Sequence, residues 1–193
     1  MKKTAVLVYN HFCNFEISVA LEILAMAEKP IIVFAKELTM ISSEEGLKIF
    51  PDKIICDIDI SEYDSLLLPG AMDIRETVED DEILSFIRLF DESKKTIGAI
   101  SIAPILLVRS GIIGSKPFMA GVNKEDLFEE GFSDEELSNM QGWDDNLKSP
   151  ISDGYIISGN IITSVSYEFV RFALAFGKMV GIDIPAETFG IRK

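Results

Sequence analysis

The stretch "TIGAISIAPILLVRSGII", residues 96–113, sets a serine between an apolar run and a helical pattern. Ile97 to Ile100 precede Ser101, and Pro104 follows. Leu106, Leu107, Ile112 and Ile113 then recur at helical spacing. A strand that turns sharply into a helix is where α/β enzymes mount a nucleophile. A serine in that seat needs a general base within hydrogen-bond reach, because a helix N-terminus alone does not ionise a hydroxyl. The chain has one histidine, His11, so an imidazole base can only be that residue. Glu16 follows in the same region, and a Ser101–His11–Glu16 triad is one arrangement to test. Two observations stand against it: the full G-x-S-x-G elbow is missing, and a histidine in a loop is more often an exposed or structural residue than a base. Glu16 has its own structural explanation, since a Glu in the first turn of a helix is favoured by the dipole whatever its function. The two cysteines are Cys13, in the His11 loop and able to reach the same pocket, and Cys56. Cys56, between Ile55 and Asp57, reads as a buried strand-end thiol without chemistry. With one histidine and no CxxC, neither a metal site nor a thioredoxin motif is indicated, and no cofactor is implied.

These residues need elements to bring them together. "TAVLVY", 4–9, is apolar and β-branched without alternation, the mark of a strand buried on both faces. A helix follows, with Phe15, Val19, Ile23 and Met26 on one face and Asn14 as its expected cap. "PIIVFAKE" is a second strand, "TMISSEEGLKIFPD" a small hairpin, and "YDSLLLPGA" a buried strand ending at Pro69-Gly70. Ile83, Phe86, Ile87 and Phe90 form a helix face behind Asp80, Asp81 and Glu82. Acids suit that helix N-terminus. Then comes the strand that leads to Ser101. "DGYIISGNIITSVS" gives a hairpin around Gly159-Asn160, and an apolar helix carrying Phe169, Phe172, Ala173 and Phe176 closes the chain near Gly181. Strand and helix alternate as in a doubly wound sheet. The fold expected is α/β, three-layer and flavodoxin-like, a mostly parallel sheet with small hairpin additions, in one domain over 1–193. In such sheets ligands bind off the carboxyl ends of the strands. That edge would gather His11, Cys13 and Glu16 from one loop, Gly70 and Ala71 from another, and Ser101 and Ile102 from a third. Phe12 and Trp143 are candidates for a pocket mouth or for packing.

The totals narrow the partners. The chain has 193 residues, 48% apolar and 26% charged, with a formal net charge of −14. That balance argues against nucleic acid and anionic membrane, which attract Lys/Arg patches. No apolar run is long enough to span a bilayer. "MKKTAVLVYN" has no long h-region behind its lysines, so it reads as a first strand and the expected location is cytoplasmic. Residues 121–150 are acidic and break the rhythm; they read as an insertion or an irregular helical segment.

"AISIAPILLVRSGIIGSK" resembles the elbow of the DJ-1/PfpI (ThiJ) superfamily, roughly A-I-C-x-x-P followed by a helix. "HFCNFEISVALEIL" resembles its first loop and helix, with Glu16 at the place of its buried acid. "SSEEGLKIFPDKIICDIDISEYDSLLLPGA" and "DGYIISGNIITSVSYEFVRFALAFGKMVG" resemble its middle and its closing segments. The resemblance covers the chain apart from 121–150. It implies the glutamine amidotransferase-like fold, a homodimer, and a Glu16–Ser101 hydrogen bond. It also implies that Ser101 stands where the family has its nucleophilic Cys and Ile102 where some members have His. No histidine stands near Met119, Ala120 and Gly121, and the family's Gly-Gly oxyanion loop reads Gly70-Ala71. An αL backbone at Ala71 would be costly. A serine cannot follow the sulfenic and sulfinic route of such cysteines. The first reading is therefore a pseudoenzyme, or a small-molecule binder, that keeps the elbow pocket. One alternative is a hydrolase/amidase through Ser101, or a hydratase/lyase through Glu16. The other is a protein-interaction module that docks through 121–150.

Overall fold

The computed structural model describes residues 2–191. The chain runs β1 (Lys3–Leu7), α1 (Asn14–Met26), β2 (Ile31–Ala35), a hairpin of β3 (Ile41–Ser42) and β4 (Lys48–Ile49), and β5 (Lys53–Ile54). It continues with β6 (Tyr63–Leu68), α2 (Arg75–Val78), α3 (Asp81–Glu92), β7 (Thr96–Ile100) and α4 (Pro104–Arg109). The last part holds β8 (Phe118–Met119), α5 (Lys124–Glu129), β9 (Met140–Gln141), α6 (Trp143–Lys148), β10 (Ile156–Ser158), β11 (Ile161–Ser164) and α7 (Phe169–Met179). The main sheet is ordered β10-β11-β7-β6-β1-β2-β5, and every pair in it is parallel except β10–β11. This is the doubly wound, flavodoxin-like α/β fold. The expected hairpins are β3–β4 and β10–β11, the second turning at Gly159 with φ +68°.

Helices cover both faces, so β1, β6 and β7 are buried almost throughout and their apolar runs do not alternate. On one face α1 packs against α7, and α7 lies on β7 and β11. The contact is close: a Cβ on Gly177 would sit 2.8 Å from Ile23, and one on Gly98 would sit 2.6 Å from the Phe176 ring. On the other face α3 packs against β6, β7 and α4. Asp80 caps α3, accepting from the Glu82 and Ile83 amides at 3.0 and 3.2 Å.

Two local expectations change. Asn14 lies inside α1 and caps nothing; Cys13 holds the cap position without a side-chain cap. The amides of Asn14 and Phe15 donate instead to Glu45, in the β3–β4 turn, at 3.2 and 3.0 Å. Cys56 is exposed in a short 3-10 turn rather than buried at a strand end. Residues 121–150 contain α5, β9 and α6. They are fastened by the Arg109 guanidinium, 4.0 Å from the Phe132 ring and 3.8 Å from Glu136, and by Tyr167. Tyr167 accepts from the Asn146 amide at 2.7 Å and meets the Trp143 ring edge-on. Trp143 is thus a packing residue, and Phe12 is a core residue, 2% exposed.

The chain leaves β1 toward β2 on one side and returns to β6 on the other. In such sheets the carboxyl ends beside the point where the winding reverses are the usual place for a ligand. The loops after β1, β6 and β7 meet there.

Candidate functional site

Ser101 follows β7 directly and has φ +63°, in the left-handed region. That conformation costs a serine about 1 kcal/mol, and it persists only where the surroundings fix it. Two backbone bonds do so. The Ser101 amide donates to the Ser164 carbonyl at 2.9 Å, and the Ser101 carbonyl accepts from the Gly121 amide at 2.6 Å. Two glycines leave it room. A Cβ on Gly121 would lie 2.9 Å from Ser101 Cα; one on Gly70 would lie 2.6 Å from Glu16 Oε2 and 2.7 Å from Ser101 Cβ. Neither glycine has a positive φ, so the requirement is space. The elbow role of Gly121 was not visible in the sequence, because its partner is Ser101 across the sheet edge.

Glu16, in the first turn of α1, is 1% exposed. Its Oε2 accepts from the Gly70 amide at 2.7 Å. Burial pushes its carboxyl up to about 7, against the opposing pull of hydrogen bonding from Ser101 and from the Gly70 amide. Glu16, Gly70, Ser101 and Cys13 are therefore one cluster. This assigns the Gly70 amide to Glu16, so it is not a free oxyanion donor. Among the described residues the Ala71 and Ile102 amides have no acceptor. Ala71 has no positive φ, so the expected backbone cost of replacing glycine there does not arise. Ile102 is half-buried against the core.

Cys13 is buried beside Glu16, and its thiol donates to Glu44 Oε2 at 2.7 Å. Burial and then Glu44 push the thiol well above its ordinary range, which holds it protonated. His11 is exposed, with φ +60°, its amide bonded to the Ser42 carbonyl and its carbonyl to the Met72 amide. Among the described residues its imidazole makes no hydrogen bond. It lines a different cavity of about 560 Å³ at the ends of β1 and β2, together with Glu37, Asp73 and Asp80. Ser101 and Glu16 do not line that cavity.

The DJ-1/PfpI family profile matches residues 2–179. The chain belongs to the DJ-1/PfpI family. Among curated relatives it is similar to "Putative cysteine protease YraA" of Bacillus subtilis, 30% identical over 116 residues, 60% of this chain and 69% of that one. It is also 31% identical over 83 residues to general stress protein 18 of the same organism, covering 38% of this chain and 48% of that one. Among solved structures, the DJ-1 superfamily protein Atu0886 from Agrobacterium tumefaciens has a TM-score of 0.79 at 16% identity, over 98% of this chain and 95% of that one. A mutant of the DJ-1 superfamily protein STM1931 from Salmonella typhimurium gives 0.76 at 20% identity, over 98% and 96%. A two-domain protein from Anabaena variabilis with DJ-1/ThiJ/PfpI-like and ferritin-like domains gives 0.78 at 17% identity; this chain spans 99% of itself and 52% of that one. At these identities the structures share a fold. The DJ-1/PfpI domain seen here thus carries a serine in a left-handed elbow, a buried glutamic acid beside it, and two amides that have no acceptor among the described residues. No helix among the described residues is long and apolar enough to cross a membrane.

Proposed function

We propose that this chain is a DJ-1/PfpI-family protein in which Ser101 occupies the seat of the family's nucleophilic cysteine, and that the elbow binds a small polar molecule without forming a covalent intermediate. The reading includes a cytoplasmic homodimer. The observation that carries it is the company Ser101 keeps. The acidic group beside it is Glu16, whose carboxyl burial pushes up to about 7. The imidazole that would activate a serine lines another cavity. Cys13 is no substitute nucleophile, since its thiol is bonded to Glu44 and held protonated. The cysteine-protease name of the Bacillus relative is therefore not carried over. The polar groups left without an acceptor among the described residues near the elbow are the Ala71 and Ile102 amides, and donors of this kind call for a polar ligand. The position of Glu16 also favours a second reading, a non-covalent hydratase or lyase in which Glu16 moves the proton.

The test is Ser101→Cys. If the elbow is inherited from a cysteine enzyme, the new thiol is alkylated by iodoacetamide faster than free cysteine at the same pH, and peroxide oxidises it to the sulfinic acid. Peptide mass spectrometry separates it from Cys13 and Cys56. Labelling no faster than free cysteine contradicts the inherited site.

A further inference from the structure

The strand that carries Gly121 to the elbow uses its backbone groups alternately. The amides of Phe118 and Ala120 donate to the Asn139 and Gln141 carbonyls, on the β9 side, at 3.2 and 3.1 Å. The groups between them face the main sheet. There the Pro117 carbonyl accepts from the Ser158 hydroxyl at 2.7 Å, and the Met119 amide donates to Thr163 Oγ1 at 2.9 Å. The Gly121 amide donates to the Ser101 carbonyl at 2.6 Å. The β8–β9 pair is thus fastened to the main sheet at every second residue. Thr163 supplies the middle fastening, and both it and Met119 are fully buried. Its neighbour in β11, Ser164, accepts the Ser101 amide at 2.9 Å. Two adjacent residues of β11 therefore grip the elbow from both ends. The Ser164 carbonyl holds the amide by which the chain enters it. The Thr163 hydroxyl holds the strand whose Gly121 takes the carbonyl by which the chain leaves.

We propose that Thr163 is a positioning residue of the elbow, acting through Met119 and Gly121 to fix the direction in which the free Ile102 amide is offered to a ligand. The proposal rests on the reading of the elbow as a site for a polar ligand. The Ser101 carbonyl and the Ile102 amide belong to one peptide plane. In a trans peptide the C=O and N–H point in opposite directions, and no peptide bond among the described residues is cis. Gly121 holds the carbonyl, so the Ile102 N–H is turned away from the 119–121 strand, where no described group accepts it. Serine disfavours the left-handed region. Without the Gly121 bond, Ser101 relaxes from φ +63° and the peptide plane rotates with it.

The hydroxyl, rather than the bulk of the side chain, carries this role. Valine fills the same space and suits a strand as well as threonine does. It offers no acceptor, so the buried Met119 amide would lose its partner, which is costly where water does not reach. The strand then moves to satisfy that amide. Gly121, two residues on, moves with it. Ser158 fastens the opposite end of the same strand, at Pro117, and its loss leaves the Met119 and Gly121 bonds in place.

The experiment is amide NMR on the full chain, comparing the native protein with Thr163→Val, Thr163→Ser and Ser158→Ala. In Thr163→Val the Gly121 amide should exchange with solvent about tenfold faster or more. The Ile97 amide, bonded to the Asn160 carbonyl at 2.8 Å in the same sheet, should keep its rate. The residual dipolar coupling of the Ile102 N–H should change, since it reports the direction of that bond. Thr163→Ser keeps the acceptor and should restore both readouts, and Ser158→Ala should leave both at their native values. If the valine protein does not fold, Thr163→Ala takes its place with the same expectation. Native Gly121 exchange or a native Ile102 coupling in the folded variant overturns the proposal. So does equal acceleration at Ile97, which would make the hydroxyl a contributor to stability alone. Neither readout involves a ligand or a thiol, so this test can fail while the Ser101→Cys test succeeds, and the reverse.

Discussion

Glu16 is the residue on which stability and function meet. Its carboxyl rises from 4.5 to about 7 in the folded state, chiefly through burial. The folded protein therefore binds a proton that the unfolded chain releases between those values. Stability from this group is full below about pH 4.5, falls as pH rises toward 7, and is flat above it. The span corresponds to roughly 3 kcal/mol. Denaturant melts at pH 5 and pH 8 should show that decline, and Glu16→Gln should remove it while keeping an acceptor for the Gly70 amide. A decline that persists in Glu16→Gln assigns it to another group. Ser101 offers a second check. Glycine relieves a left-handed φ and alanine does not, so Ser101→Gly should be more stable than Ser101→Ala by about 1 kcal/mol. The reverse order, which is normal elsewhere in a chain, contradicts the elbow geometry. Ser101, Glu16 and Gly70 were legible in the sequence because a strand-to-helix serine, a first-turn acid and a strand-end glycine each leave a local trace. The separation of His11 from Ser101 was not. Both follow strands on the same sheet edge, and only the path of the loop after β1 turns the imidazole to the other cavity.

Among the elements, the parallel strands and the α3 face were readable from burial patterns alone, since each depends on neighbours at fixed spacing. The start of α1 was not. Asn14 has the composition of a cap, yet Glu45 supplies the acceptors from across the fold. Residues 121–150 were opaque for a related reason: their order depends on side chains outside them, Arg109 and Tyr167, rather than on an internal period. Arg109→Ala removes the contact with Phe132 and the pairs with Glu79 and Glu136. It should cost about 1–3 kcal/mol and expose 124–136 to limited proteolysis ahead of global unfolding. Cleavage no faster than in the native protein contradicts that anchor.

At the scale of the whole molecule, the doubly wound sheet explains why residues remote in sequence come together: the winding reverses between β1 and β6, and the loops after β1, β6 and β7 bring Glu16, Gly70 and Ser101 to one edge. The net charge of −14 acts over the same scale. Self-repulsion weakens as salt screens it, so the melting temperature should rise between low salt and about 0.5 M. The proposed homodimer is tested by sedimentation equilibrium, which should return twice the 21.4 kDa chain mass.

An elbow serine without a base should be unreactive. The measurement to make is treatment of the native protein with a fluorophosphonate probe, with adducts mapped by peptide mass spectrometry. No modification of Ser101 is expected in a folded sample. Stoichiometric modification at Ser101, lost in His11→Ala, would contradict it and make this chain a serine hydrolase.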